Sequence, residues 1–366
     1  MRRERLTAAA RYLTTVLLTV ILIPLTGSVW VWSLLIPLVL LPVVSSCCNL
    51  YVRRRLEGKF RLATTAAKDS GCQGHLVLKN TSRLPAVKLL GTVGIVNDLT
   101  REEETMEFSS AVGAGQETAL EFTLESSHCG RLYVFVKSVK LMDWFGLIPL
   151  KVPLKAAARM TVLPELFACD VELGPVSAVA EDGSASSRGD DRTEVYQLRE
   201  YQAGDDVRQI HWKLSSKLDS LILREAGMSI SRSVLVFWDK RWPCAPKIMD
   251  TLAETTASVC QGLSDKGLPF DLGWTEGEEP ELRQISSEEE LLQTIPALVT
   301  QGGDPDCLLP EMTGYSRVIY LSSELPEQLP EESVFFLICA QEGKEEGKMV
   351  LFSPESYQER LERLEI

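Results

Sequence analysis

The nine cysteines of this sequence lack CxxC pairs and any other spacing typical of metal ligands. They are scattered along the chain, apart from the adjacent Cys47 and Cys48, which lie in an apolar stretch. A long chain with unpatterned cysteines is typical of a reducing compartment and not of a disulfide scaffold. We therefore expect no disulfide framework, no cysteine-bound metal and no cofactor.

Basic side chains are scarce beyond the first 61 residues. Of the 38 Lys and Arg residues, nine lie in residues 1–61 beside only two acidic residues. The remaining residues carry 29 basic and 49 acidic side chains. A soluble part this acidic repels phosphate backbones, so we expect no nucleic acid among the partners.

Charged residues are absent from residues 12–52, a run of 41 positions. As one helix this run would be about 60 Å long, twice the roughly 30 Å of a bilayer core. Residues 26–28 (Thr-Gly-Ser) interrupt it, and Trp30 and Trp32 follow as residues suited to a membrane interface. The pattern predicts two spans of the lipid bilayer, at about residues 12–25 and 29–50.

Arginines flank both ends of this predicted hairpin. Four arginines precede the first span and Arg53, Arg54 and Arg55 follow the second, so the positive-inside rule places both chain termini in the cytoplasm. A signal peptide is one alternative, but another apolar span follows where a small-residue cleavage site would be expected. A buried hairpin of a soluble protein is the other alternative. The preferred prediction is a cell-membrane protein with a hairpin at residues 1–61.

Short extended segments follow over residues 62–160. Leu120, Phe122 and Leu124 alternate with polar residues, and Leu132, Val134 and Val136 repeat the pattern. Strands at such intervals without helical periodicity favour an immunoglobulin-like β-sandwich. Residues 161–195 include a small, polar stretch, and we assign them to a linker or loop.

The last predicted domain, residues 196–366, begins with a polar signature segment and changes to an α/β pattern from about residue 232. Predicted strands at residues 233–238, 270–274, 317–321 and 334–340 alternate with predicted helices at 246–263, 287–299 and 354–364. This order favours a mainly parallel sheet covered by helices.

Residues 198–216 (LREYQAGDDVRQIHWKLSS) hold the densest set of polar side chains. Residues 203–205 (Ala-Gly-Asp) predict a turn, and Asp206 can cap a short helix with Gln209 closing a capping box. Residues 220–223 predict a strand that ends at Arg224 and Glu225.

This stretch resembles the hallmark of the bacterial domain-of-unknown-function 58 family, R-E-Y-x-x-G-D-D-x-R-x-I-H-W-K-x-S-A followed shortly by a strand ending in R-E. The matching residues are Arg199, Glu200, Tyr201, Gly204, Asp205, Asp206, Arg208, Ile210, His211, Trp212, Lys213, Ser215, Arg224 and Glu225. A second, weaker match runs from Gly130-Arg131 to residues 143–147 (DWFGL), where Trp144 stands in place of the family's proline.

The resemblance implies a multidomain chain: an N-terminal transmembrane α-hairpin, an immunoglobulin-like β-sandwich and an α/β von Willebrand factor A-like domain. In metal-binding members of that wider fold, a D-x-S-x-S loop after the first strand helps to hold a divalent cation. Here Asp239 is kept, but Arg241 and Pro243 occupy the serine positions. We predict a degenerate metal position, because hard cations need several oxygen ligands.

Two functions follow from these observations. The resemblance implies a membrane-anchored scaffold that docks a MoxR-type AAA+ ATPase, with a transglutaminase-like membrane protein as a further partner. In this interpretation the signature residues form a structural or docking network. The alternative is a hydrolytic enzyme that uses Glu200, Asp205, Asp206 and His211. We favour the scaffold because nearby arginines and Lys213 can pair with these carboxylates and no nucleophile with its base is identifiable.

Overall fold

The structure is a computed structural model that describes residues 2–26, 29–173, 196–200, 215, 222–226, 234–310, 312, 314–325, 334–340 and 348–366. The chain divides into two compact units. The first comprises Met1–Leu166, Cys244–Glu254 and Gln293–Gly302, and the second comprises Phe167–Pro243, Thr255–Leu292 and Gly303–Ile366.

The first unit begins with two helices, α1 (Arg2–Thr26) and α2 (Val29–Val52). Within α2, Trp30–Val52 is long and apolar enough to cross a membrane. The apolar part of α1, Ala10–Leu25, is shorter. The helices are in contact, since the Tyr12 hydroxyl donates a hydrogen bond to the Leu38 carbonyl at 2.8 Å. One apolar N-terminal helix of spanning length is thus confirmed.

Two sheets follow in the first unit. One has the order β1-β3-β6 and is antiparallel, and the other has the order β2-β9-β7-β4-β5 with β8 beside β7. Their bounds are β1 (Leu56–Arg61), β2 (Thr65–Ala67), β3 (Cys72–Asn80), β4 (Ala86–Asn97), β5 (Glu103–Val112), β6 (Glu117–Leu124), β7 (Gly130–Met142), β8 (Pro149–Val152) and β9 (Ala157–Leu163). Leu76 and Leu78 of the first sheet share one hydrophobic core with Val134, Leu141 and Met160 of the second.

The alternation predicted for these strands is confirmed, with one irregularity. In β6, Leu120, Phe122 and Leu124 are the more buried positions. Where β7 pairs with β4, Val136 lies opposite Val93 and Ser138 lies opposite Thr92, so Lys137 is an extra residue inserted in β7. Such a bulge reverses which positions face the core, and the buried residues change from Leu132 and Val134 to Val139 and Leu141.

The second unit contains a six-stranded sheet of order β15-β14-β13-β16-β17-β18. Its strands are β13 (Val234–Trp238), β14 (Phe270–Glu276), β15 (Glu279–Ile285), β16 (Arg317–Ser322), β17 (Val334–Cys339) and β18 (Met349–Phe352). All pairs are parallel except β14 with the edge strand β15. The helices α3 (Pro246–Asp265) and α4 (Glu288–Leu298), whose residues are divided between the two units, lie close to the predicted bounds.

The chain end differs from the predicted helix at residues 354–364. A four-residue helix, α5 (Tyr357–Arg360), is followed by β19 (Arg363–Glu365), which pairs in parallel with β10 (Asp170–Glu172). The prediction was wrong because buried Leu361 and Leu364 have helical spacing, whereas the strand partner lies far away in sequence.

Two predicted boundaries also differ. β1 begins at Leu56, inside the segment 1–61 assigned to the hairpin, because Leu56 and Phe60 enter the core between exposed charged residues. Residues 161–163 end β9 and residues 170–172 form β10, so this part of the predicted linker is ordered. Residues 174–195 of that linker lie outside the described residues.

Candidate functional site

The predicted signature begins and ends on a two-stranded antiparallel sheet, β11 (Tyr196–Glu200) with β12 (Ile222–Ala226). In its register, Leu198 lies opposite Arg224 and Arg199 opposite Leu223. The backbone thus brings Arg199, Glu200, Arg224 and Glu225 together. The remaining predicted positions lie outside the described residues and stay a prediction: Tyr201, Gly204, Asp205, Asp206, Arg208, His211, Trp212 and Lys213.

Asp239 follows β13 at the edge where the carboxyl ends of the parallel strands meet. Its side chain is buried and both oxygens accept hydrogen bonds. Arg241 donates from Nε to Oδ1 at 2.9 Å, from Nη2 to Oδ2 at 2.8 Å and from its backbone N–H to Oδ1 at 3.0 Å. The Tyr320 hydroxyl, from the neighbouring strand β16, donates to Oδ2.

Asp239 and Arg241 thus form an internal ion pair, and the Tyr320 hydroxyl donates a further hydrogen bond to its carboxylate. The hydrogen bonds with Asp239 raise the pKa of Arg241 above its ordinary value. Burial, and then the Asp239 charge, raise the pKa of Tyr320, so the hydroxyl stays protonated and acts as a donor. The Arg241 guanidinium therefore occupies the place beside Asp239 that a bound cation would need.

A second cation lies next to this pair. Lys240 is buried, with its Nζ 4.7 Å from the ring centroid of Trp238 and 5.9 Å from that of Trp274. Its backbone N–H donates to the Thr275 hydroxyl at 2.7 Å. Electron-rich ring faces stabilise an ammonium group at such distances. Among the described residues, no group of three or more His, Cys, Asp and Glu side chains is placed to hold a metal ion.

The first unit contains a buried ionic cluster that the sequence did not reveal. The Lys68 ammonium lies 2.5 Å from Asp250 Oδ2 and 2.7 Å from Glu254 Oε1. The other oxygen of Asp250 accepts the backbone N–H of Cys129 at 2.6 Å. His128 Nδ1 lies 3.6 Å from Asp250 Oδ2. Asp250 and Glu254 are four residues apart on α3, and both are buried, so each carboxylate needs a partner.

The electrostatics of this cluster favour a structural role. Burial lowers the pKa of Lys68, but hydrogen bonds and charge from Asp250 and Glu254 outweigh it, so the pKa is raised overall. Burial, reinforced by Asp250, raises the pKa of the Cys129 thiol well above its ordinary value. A thiol that stays protonated is a poor nucleophile.

The DWFGL segment forms a tight loop after β7. The buried Asp143 carboxylate accepts the backbone N–H groups of Leu147 at 2.5 Å, Ile148 at 2.7 Å and Phe145 at 3.3 Å. Gly146 takes a φ of 74°, which favours glycine. A cavity of about 500 Å³ adjoins the loop, lined in part by Lys88 and Trp144.

Comparisons with known proteins do not identify a family. No protein-family model and no curated protein matches the chain. The CARDB domain of a Pyrococcus furiosus protein is 13% identical, over 30% of this chain and 87% of that domain, with a TM-score of 0.23. A β-glucosidase from Listeria innocua is 17% identical, over 29% of this chain and 16% of the enzyme, with a TM-score of 0.22. The Pseudomonas fluorescens alkylpurine DNA glycosylase AlkC is 14% identical, over 36% of this chain and 37% of the glycosylase, with a TM-score of 0.22. These similarities are too low to bear on activity.

Proposed function

We propose that this chain is a membrane-anchored scaffold whose second unit docks a MoxR-type AAA+ ATPase on the cytoplasmic face of the cell membrane. The proposal includes a two-span hairpin, an immunoglobulin-like β-sandwich in the first unit and a von Willebrand factor A-like fold in the second. A transglutaminase-like membrane protein is a further proposed partner. The signature that resembles the domain-of-unknown-function 58 family motivates the choice of ATPase.

The observation that carries the scaffold proposal is the closed ion pair at the sheet edge. Asp239, the one retained residue of the metal loop, is bonded to Arg241 and Tyr320. Arg241 and Lys240 add positive charge there, which opposes binding of a further cation. This favours recognition of a partner through protein surface contacts instead of metal capture, and the ribbon of β11 and β12 carries the signature ends that would contribute.

We predict that the full-length protein, immobilised in nanodiscs, retains the MoxR-type ATPase of the same organism. Charge reversal of the docking residues, Arg208→Glu with Lys213→Glu, should abolish retention because it removes two cations of the signature. Lys137→Glu is the matched control, since Lys137 is half exposed and pairs with Glu103 in the first unit. Retention is measured by quantitative immunoblotting with ATP, with ADP and without nucleotide.

The three outcomes separate the explanations. Retention lost only in the signature variant supports docking through residues 199–225. Absence of the ATPase under every nucleotide condition counts against the scaffold. Equal loss in the Lys137 control indicates a nonspecific charge effect and also contradicts the assignment of the docking surface.

The proposed orientation gives a separate prediction. Protease added to intact spheroplasts should leave both units uncut, because the arginines that flank the helices favour a cytoplasmic location for both termini. Cleavage should appear only after the membrane is permeabilised. Immunoblotting with a C-terminal tag follows the result, and cutting in intact spheroplasts would reverse the orientation and remove the case for a cytosolic ATPase.

A further inference from the structure

The loop at residues 143–148 and the end of β7 just before it are each fastened to the apolar helix α2 by one hydrogen bond. The backbone N–H of Trp144 donates to the Ser45 hydroxyl at 3.0 Å. The Asn49 side chain donates to the Met142 carbonyl at 3.0 Å. Ser45 and Asn49 are both buried, so the protein shields these two polar side chains of α2. The loop also contacts α1, where the rings of Phe145 and Tyr12 lie 5.9 Å apart.

The position of Ser45 along α2 sets the depth of the loop. Ser45 lies 15 residues after Trp30, where the apolar span begins. At 1.5 Å per residue this is about 22 Å, less than the roughly 30 Å of a hydrocarbon core. A helix that starts at one membrane surface has therefore not left the bilayer core when it reaches Ser45. Tilting the helix makes the shortfall larger. If α2 crosses the bilayer from Trp30 onward, the loop held at Ser45 lies at or within the boundary of the bilayer.

The side chains on the loop suit that location. Trp144 is 50% exposed and Ile148 is 44% exposed, which is unusual for large apolar residues in a tightly bonded turn. Exposed Val87 and Lys88 line the same cavity as Trp144. Tryptophan beside aliphatic and basic side chains is the composition that membrane interfaces favour, because the ring spans the apolar and polar layers.

We infer that residues 143–148 form a membrane-seated wedge that inserts Trp144 and Ile148 into the interfacial layer of the phospholipid bilayer. The wedge holds the sheets of the first unit against the membrane surface. This inference rests on the proposed membrane anchor. The proposed ligand is the phospholipid bilayer, because the loop is hydrogen-bonded to α2, the helix proposed to cross it.

Photocrosslinking of the full chain in nanodiscs of phosphatidylcholine and phosphatidylglycerol tests the wedge. Benzoylphenylalanine is placed singly at Trp144, at Trp30 as the anchor control and at Leu166 as the distal control. Leu166 is 42% exposed and follows β9, whose Val162 pairs with Gly130 at the other end of β7 from Met142. The 13 residues of β7 separate the two ends by roughly 40 Å. The loop hydrogen bonds use the Trp144 backbone, so they survive replacement of its side chain.

We expect lipid adducts, detected by mass spectrometry, at positions 30 and 144 in comparable yield and near background at 166. Adducts at 30 without adducts at 144 would overturn the wedge and leave the anchor intact. Absence at both positions would overturn the anchor as well. Equal yields at 144 and 166 would mean nonspecific contact and contradict the wedge. As a second readout, Trp144→Phe should lower the fraction of the protein's tryptophan fluorescence that brominated lipid quenches. An unchanged fraction would argue against insertion.

Discussion

Replacing Arg241 by methionine should destabilise the second unit by about 3–5 kcal/mol, because it leaves the buried Asp239 carboxylate without its cation. The Tyr320 hydroxyl alone cannot replace a bidentate guanidinium. Denaturant unfolding followed by tryptophan fluorescence measures the change, since Trp238 and Trp274 are fully buried in the same sheet. Tyr320→Phe, which removes one hydrogen bond to a charged group, should cost about 1.5–3 kcal/mol.

Two variants make this result specific. Arg363→Met removes an exposed arginine 3.0 Å from Glu172 and should leave the transition nearly unchanged, because exposed ion pairs contribute little. The double variant Asp239→Asn with Arg241→Met should recover part of the loss, because the uncompensated charge is gone. An Arg241→Met transition that coincides with that of Arg363→Met would mean that water already screens Asp239.

The elements that could be predicted from sequence are those whose pattern is local. The apolar helix α2 is read from the absence of charge along residues 29–52. The alternation in β6 and the apolar strands β13, β14, β16 and β17 record burial within a few neighbouring residues. A helix or strand period is visible in such a window without knowledge of the partner. The apolar pattern of residues 233–238 therefore predicted correctly that Asp239 follows a buried strand.

The rest depends on partners that lie far apart in sequence. β10 forms because β19, near the chain end, offers it a backbone partner, and β1 forms because Leu56 and Phe60 find a core. Arg241 lies two residues from Asp239, so this pair could be suspected, whereas Tyr320 lies 81 residues away. A tyrosine inside an apolar strand was the available hint, because a buried hydroxyl needs a partner. The sequence contains no such hint for the pair of Lys68 and Asp250, which are 182 residues apart.

Replacing Lys68 by methionine should lower the stability of the first unit by about 3–5 kcal/mol, because two buried carboxylates would lose their shared cation. The two carboxylates raise the pKa of Lys68 above its ordinary value of 10.5 despite burial. A raised folded-state pKa contributes stability that is fully present below the unfolded-state pKa and is lost as the pH rises through the folded-state pKa. The difference between wild type and Lys68→Met should therefore be constant through neutral pH and shrink only above pH 10.5.

Lys137 supplies the matched control for this prediction, because its ammonium also lies 2.7 Å from a glutamate but is half exposed. Lys137→Met should cost at most about 1 kcal/mol, since water screens the Glu103 charge. The triple variant Lys68→Met, Asp250→Asn, Glu254→Gln should be more stable than Lys68→Met alone, because it removes the uncompensated charges. Unfolding in urea at several pH values, with circular dichroism as the readout, compares the four proteins. If Lys68→Met and Lys137→Met lose the same stability, the cluster is hydrated and its buried charges do not hold the first unit together.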